Sequence, residues 1–203
     1  MSRFGGLMFL FSGALALIVS PTCLAMDAET VVALGYDQGG DRLLRVVFTD
    51  GSERTVRANQ GVNLRLGAMF YHTEDLTWQT QATVGMQYNQ IKATNGAAEW
   101  RAYPVEGIFF YNANLIRLGL GATYQLNPHL RTTGVVSPYG AELNNALGWI
   151  VQAGFRPKKK QGLSVDMRYT FIRYSGSATY AGTPQHLSGV DGSSVGVYLT
   201  AIF

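Results

Sequence analysis

The sequence predicts an all-β fold: an eight-stranded antiparallel up-and-down transmembrane barrel. Three observations carry that reading. Segments of about ten residues alternate between apolar and polar side chains, with turn clusters between them. An apolar N-terminal segment reads as an export leader, and no later stretch approaches the roughly 18 consecutive apolar residues of a spanning helix. The alternation runs on to the last residue, through Val195, Val197, Leu199, Ala201 and Phe203. An exported, apolar chain without a spanning helix has one membrane architecture left, because only a closed barrel pairs every strand's backbone groups inside lipid.

The leader comprises Arg3, an apolar run from Leu7 to Val19, and the small-residue site Pro21-Thr22-Cys23-Leu24-Ala25. Residues 1–25 therefore read as a signal peptide cut after Ala25, and residues 26–203 as a single barrel domain. A lipidated Cys23 is the alternative, although Ser20-Pro21-Thr22 suits that chemistry poorly. After cleavage at Ala25 no cysteine remains, so neither a disulfide nor a thiolate metal site is expected. A net charge of +3 with 14% charged residues argues against nucleic acid as a partner.

The first element lies between Ala28 and Gln60, which contains two turn signals, Gly39-Gly40 and Asp50-Gly51. Folding about Asp50-Gly51 sets Arg42–Thr49 against Glu53–Ala58 and Thr30–Tyr36 against Arg65–Tyr71. A glycine bulge then keeps Val32, Leu34 and Tyr36 on the lipid side. This gives one long hairpin whose polar part, residues 42–58, projects or folds over the barrel mouth. The competing arrangement, four short strands in a ten-stranded barrel, suffers because Glu53–Ala58 is too short and polar to cross a bilayer.

The second strand turns Val62, Leu64, Leu66, Ala68 and Phe70 outward, and Asn63, Arg65 and Gly67 inward. In Leu76–Tyr88, Trp78, Ala82, Val84 and Met86 oppose Gln79, Gln81, Thr83 and Gln87. Residues 98–110 follow the rule less cleanly: Tyr103, Val105 and Phe109 face lipid while Glu106 shares the inner face with Ile108 and Phe110, and Pro104 predicts a bulge or kink. In Leu115–Gln125, Ile116, Leu118 and Leu120 point out, and Arg117, Gly119 and Gly121 point in. Asn145–Arg156 turns Gln152 inward, Leu163–Tyr174 turns Asp166 and Arg168 inward, and Ser194–Phe203 closes the set.

The connections 72–75, 111–114 and 157–162 are short, as periplasmic turns are, whereas 89–97, 126–144 and 175–193 are longer, as outer loops are. Aromatic residues near strand ends, among them Phe70, Tyr71, Trp78, Tyr88, Trp100, Tyr103, Tyr111, Tyr124, Phe155, Tyr169, Tyr174 and Phe203, read as interfacial anchors.

Eight strands enclose a lumen that side chains fill. Arg65, Gln79, Gln81, Glu106, Arg117, Gln152, Asp166 and Arg168 are expected there as a paired polar network, with a proton or ion path through Glu106 as the competing reading. Among candidate bases, His72 falls in a short turn, and His129 and His186 in long loops. Lys158–Lys160 reads as a solvated turn beside anionic head groups. Neither a phosphate loop nor metal-ligand spacing occurs, so no cofactor and no metal are expected.

The closing strand Val195–Phe203, the pattern from Leu163 and the stretch Arg101-Ala102-Tyr103-Pro104-Val105-Glu106 resemble the small outer-membrane barrels of the OmpA-transmembrane and OmpX-like kind. That resemblance implies a Gram-negative outer-membrane location and makes Tyr198 and Phe203 part of the signal read by the outer-membrane assembly machinery. It further implies outer-membrane lipid and lipopolysaccharide as partners, and a monomer. Gln185-His186-Leu187-Ser188 is similar to the His-x-Ser of small-barrel lipid A deacylases, but lacks their downstream glutamate. The expected function is non-enzymatic, structural or surface-interacting through the outer loops. A narrow channel or a transporter of small or hydrophobic solutes is the alternative, and a lipid A hydrolase a third.

Overall fold

The computed structural model describes residues 28–47, 51–93, 95–134 and 139–203, so the leader assigned to residues 1–25 lies outside the described residues. Twelve strands follow in chain order: β1 Ala28–Gly39, β2 Arg42–Val47, β3 Glu53–Arg57, β4 Gly61–Tyr71, β5 Trp78–Ala93, β6 Gly96–Ala113, β7 Ile116–Gly134, β8 Gly140–Leu143, β9 Ala146–Phe155, β10 Gly162–Tyr180, β11 Thr183–Asp191 and β12 Ser194–Ile202. No helix among the described residues is long and apolar enough to cross a membrane.

Eight of these strands close a ring. β1 pairs with β4, then β5, β6, β7, β9, β10 and β12 follow, and β12 returns to β1, every pair antiparallel. The ring is sheared. A row of directly paired residues starts at Gly162, passes through Ile202, Val31, Gly67, Thr83, Glu106, Thr123 and Gly148, and returns to β10 at Ile172, ten residues further on. Such a stagger is what a closed sheet of tilted strands requires, at about 35–45° to the barrel axis.

Alternation sets the two faces. Leu34, Leu66, Val84, Phe109, Leu120, Val151, Met167 and Leu199 are exposed, and Leu120 and Met167 keep 63% of their surface uncovered. The intervening positions are buried and largely polar. An apolar belt of this extent far exceeds the patches a water-soluble monomer tolerates.

The polarity inverts further along the same strands. Beyond Tyr103 on β6, Arg101 and Glu99 lie on the outer face while Trp100 and Ala98 are buried inside. β5, β7 and β10 make the same change, and their extensions with β8 and β11 form a second storey around an apolar core of Ile91, Trp100, Leu130, Leu143, Ile172 and Tyr174. Lipid explains the lower pattern and water the upper one.

The structure departs from the sequence reading in several places. In the first hairpin Tyr36 pairs with Val62 instead of Arg65, a shift of three residues. Gly39 and Gly40 (φ 151° and 75°) and Asn59 and Gly61 (φ 56° and 144°) take backbone conformations that turn the chain out of the ring on both sides, so β2 and β3 form a separate sheet. Pro104 sits inside the barrel paired with Gln125, and the bulge lies opposite, at Asn127-Pro128 of β7, where Asn127 has φ 46°. The ladder to β5 is interrupted beside Pro104, which has no N–H to give: pairing breaks off at Val84–Val105 and resumes at Gln87–Ala102. The segments expected as long loops are mostly strand, because β5–β6, β7–β8 and β10–β11 continue as hairpins past the belt.

Three of the aromatic residues assigned to the girdle are instead interior. Tyr71, Trp100 and Tyr174 are buried, whereas Trp78, Tyr111, Phe155 and Phe203 are exposed at strand ends and Tyr124 is exposed midway along β7. Alternation places Trp100 correctly on the inner face; the sequence gives no warning that the inner face becomes apolar there.

Candidate functional site

The inward side chains form three layers, beginning at the end that carries the short turns. There Arg156 donates through Nη2 to the Tyr71 hydroxyl (3.2 Å) and to the carbonyls of Lys159 (2.7 Å) and Lys160 (2.9 Å), and through Nη1 to Gln79. The turn Lys158–Lys160 thereby closes the mouth, with Lys158 Nζ reaching the Thr77 hydroxyl at 3.0 Å.

The second layer is ionic. Arg117 Nε donates to Asp166 Oδ1 at 2.5 Å, its Nη2 takes the other carboxylate oxygen, and Ser164 Oγ donates to Asp166 Oδ2 at 3.0 Å. Glu106 bridges two cations: Arg168 Nη1 donates to its oxygens at 2.9 and 3.1 Å, and Arg65 Nε lies 3.0 Å from Oε2. Arg168 Nε also donates to Gln152 Oε1 at 2.9 Å.

A third layer continues toward the hairpin end. The Tyr198 ring lies under both guanidiniums, 4.7 Å from Arg65 and 4.1 Å from Arg168, and its hydroxyl donates to Asp37 Oδ2 at 2.7 Å. Asn63 Nδ2 (2.8 Å) and Gln87 Nε2 (3.3 Å) donate to the same oxygen, and Trp100 Nε1 donates to Gln87 Oε1 at 3.3 Å.

All eight residues expected in the lumen are buried there, but they are not one cluster. Gln79 belongs to the end layer, Arg117 and Asp166 pair with each other, Arg65, Glu106, Gln152 and Arg168 meet, and Gln81 Oε1 finds no hydrogen-bond partner among the described residues. Asp37 and Arg156 were missed, although both have the inward parity of their strands. Asp37 looked like the end of its strand because Gly39-Gly40 follows, and Arg156 because Pro157 does. Of the two residues assigned to the assembly signal, Tyr198 is buried at the centre of the lumen and Phe203 is exposed at the turn end.

Above these layers the β2–β3 hairpin folds over the mouth. Val56 and Ala58 are fully buried in the upper apolar core, with Leu43 and Leu44 packed against it. Asn59 Nδ2 donates to Ser194 Oγ at 2.9 Å, the Ala58 amide to the Asp41 carbonyl at 2.9 Å, and the Asp41 amide to the Asp191 carbonyl at 2.6 Å. The tip, carrying the exposed Arg45–Glu53 pair, stays in solvent.

The histidines separate. His72 is exposed, its Nε2 2.7 Å from the Thr80 hydroxyl. His129, expected in a solvated loop, is on β7 and only 7% exposed. His186 and Ser188 lie on β11, both exposed, with His186 opposite Ser177, and among the described residues no hydrogen bond joins either to a carboxylate.

Asp75, in the β4–β5 turn outside the belt, accepts from the Thr77 hydroxyl and, at 3.1 Å, from the Thr77 amide. The Thr77 and Thr73 hydroxyls, followed by that amide, hold its carboxyl well below the usual carboxylate range. A carboxyl depressed below its unfolded value of about 4 stabilises the turn fully above that pH, and the contribution disappears as the pH falls through the folded value. Protection of the Thr77 amide, its exchange rate relative to that of an unstructured amide at the same pH, should therefore be high at neutral pH and fall in strong acid, whereas Asp75→Asn should remove that loss of protection.

No family model matches the chain, and no curated protein sequence does. Solved structures are similar in fold. The crystal structure of Ail, the attachment invasion locus protein of Yersinia pestis, shares 14% identity at a TM-score of 0.47, covering 86% of this chain and 95% of that one. The outer membrane protein AlkL, solved by solid-state NMR in lipid bilayers, shares 11% identity at a TM-score of 0.46, with 87% and 90% covered. Neisserial surface protein A shares 13% identity at a TM-score of 0.44, with 87% and 96% covered.

Proposed function

We propose that this chain is an integral protein of the bacterial outer membrane, non-enzymatic and monomeric, which acts through its water-exposed hairpin end in a structural or surface-interaction role. The inversion of polarity along β5, β6, β7 and β10 carries the reading: one set of strands is built for lipid below and for water above. The short turns then face the periplasm and the hairpins face outward.

The ion pairs of Glu106 and Asp166, closed below by Arg156 and above by Val56 and Ala58, support a lumen that serves as a core. Planar-bilayer recording on the purified barrel is expected to show no single-channel steps, and a steady conductance in the unmodified protein would overturn the structural reading. Passage of small or hydrophobic solutes is the second reading, favoured by the ladder interruption at Pro104. Liposome swelling with such solutes separates the two. Mass spectra of lipid A from cells with and without the protein should be identical if His186 and Ser188 do no hydrolysis.

A further inference from the structure

At the hairpin end β7 and β8 share only two paired positions, His129 with Glu142 and Leu130 with Ala141. Beside this short seam is a cleft of about 290 Å³ with a polar lining of Asn127, His129, Arg131, Glu142, Ser177 and Thr179. We propose that it binds one sugar unit of a glycolipid in the leaflet surrounding the barrel, an inference that rests on the outer-membrane reading above.

Register fixes where the cleft faces. Arg101, His129, Glu142, Ser177 and His186 form one row of directly paired residues. Directly paired residues share a face of the sheet. Their neighbours Trp100, Leu130, Ala141 and Leu143 fill the inner core, so the row points sideways out of the wall.

Height is set by the same strands. The last apolar outer residues below the cleft are Leu126 on β7, Leu147 on β9 and Phe171 on β10, three to six positions from His129, Glu142 and Ser177. At about 3.3 Å per residue and a tilt near 40°, the cleft lies on the order of 10 Å beyond the hydrocarbon edge. A glycolipid carries its saccharide at that level.

The lining chemistry selects the ligand. A guanidinium, an imidazole, two hydroxyls, an amide and a carboxylate supply donors and acceptors together. Sugar hydroxyls, which both donate and accept, complement such a set, and Leu130 and Ala141 offer a small apolar surface of the kind a ring's C–H face covers; a phosphate meets the Glu142 carboxylate, and an acyl chain finds a mostly polar wall. The Asn127 carbonyl, 2.8 Å from His129 Nδ1, can only accept, so Nδ1 carries a proton and Nε2 is the ring nitrogen left for a ligand. The bulge at Asn127, whose amide donates to Asn145 Oδ1 at 2.8 Å, sets this geometry on rigid strands. The volume is at the small end of small-molecule sites, matching one ring and not a protein partner.

The test uses the full mature chain in nanodiscs of phospholipid with lipopolysaccharide, compared with phospholipid alone, and native mass spectrometry of the released protein. Wild type is expected to retain one lipopolysaccharide, and the double variant Glu142→Gln, Thr179→Val to retain at least tenfold less, with an unchanged urea unfolding midpoint. Equal retention by both proteins overturns the proposal. In a second arm the deacylated saccharide is titrated while the His129 and Thr179 amides are followed by NMR. Saturable shifts there, combined with equal retention in the first arm, would assign the cleft to a soluble glycan and overturn the lipid assignment. Failure of the chain to insert into nanodiscs would instead refute the outer-membrane reading, so the two failures are distinguishable.

Discussion

Glu106→Ala is expected to destabilise the barrel by about 3–5 kcal/mol, the typical cost of removing one partner from a buried ion pair. Arg65 and Arg168 both lean on this carboxylate, at 3.0 and 2.9 Å, and all three side chains are almost completely buried. Their removal from water is compensated by each other, by Gln152 and Asn63, and by the Tyr198 ring. Without Glu106, two guanidiniums share an interior with no anion between them, and Asp37, at the hydroxyl end of Tyr198, is already hydrogen-bonded by Tyr198, Asn63 and Gln87. Urea unfolding of the barrel in vesicles measures the loss. Glu106→Gln, which keeps the shape and one acceptor, should fall between wild type and alanine. A midpoint for the alanine variant equal to wild type would mean that the lumen is wet enough to screen its charges.

Val56→Asp should release the β2–β3 hairpin without unfolding the barrel. Val56 is fully buried among Trp100, Leu130 and Tyr174, and an unpaired carboxylate placed there costs several kcal/mol. The barrel strands do not depend on this contact, because each ladder of the ring closes without β2 or β3. The hairpin should undock, and trypsin cleavage after Arg54 or Arg57 should accelerate at least tenfold, the equivalent of about 1.4 kcal/mol of docking equilibrium. Val47→Asp, at the exposed tip, should leave the rate unchanged. Equal rates in the two variants would show that the hairpin is not seated in the mouth.

Most of the membrane-embedded part was legible because alternation is a local property. Leu64, Leu66, Leu118, Leu120, Val165 and Met167 declare their face without knowledge of their partners, and the inward parity of Arg65, Glu106, Arg117, Asp166 and Arg168 follows. Pairing within the lumen did not follow. Arg117 meets Asp166 rather than Glu106 because both pair directly with Gly154, which puts no side chain between them, whereas Glu106 pairs with Thr123, six residues along β7, and register between strands is not a local property of either one.

The hairpin end was the least legible. β5, β6 and β10 reverse their polarity without changing their parity, and β7 does so after the bulge at Asn127-Pro128 has shifted its parity by one, so Asn89–Ala97 and Ser175–Ser193 read as loops when tested against a lipid pattern. The clue present in the sequence was Ile91, Ala98 and Trp100: apolar residues at inward positions within otherwise polar segments. The bulge at Asn127-Pro128 was hidden by Pro104, a stronger breaker by composition, which the ring accommodates by giving up local pairing to β5.

A single strand, β6, passes from lipid into water, its outer face changing character between Tyr103 and Arg101. Nitroxide labels placed singly at Ala97, Glu99, Arg101, Tyr103, Val105, Gly107 and Phe109 of β6, in bilayers, test it by relative collision with oxygen and with a water-soluble nickel complex. The expected profile is oxygen-dominated from Phe109 to Tyr103 and nickel-dominated from Arg101 to Ala97. A profile that stays nickel-dominated through Val105 and Phe109, or oxygen-dominated through Glu99 and Ala97, would contradict it.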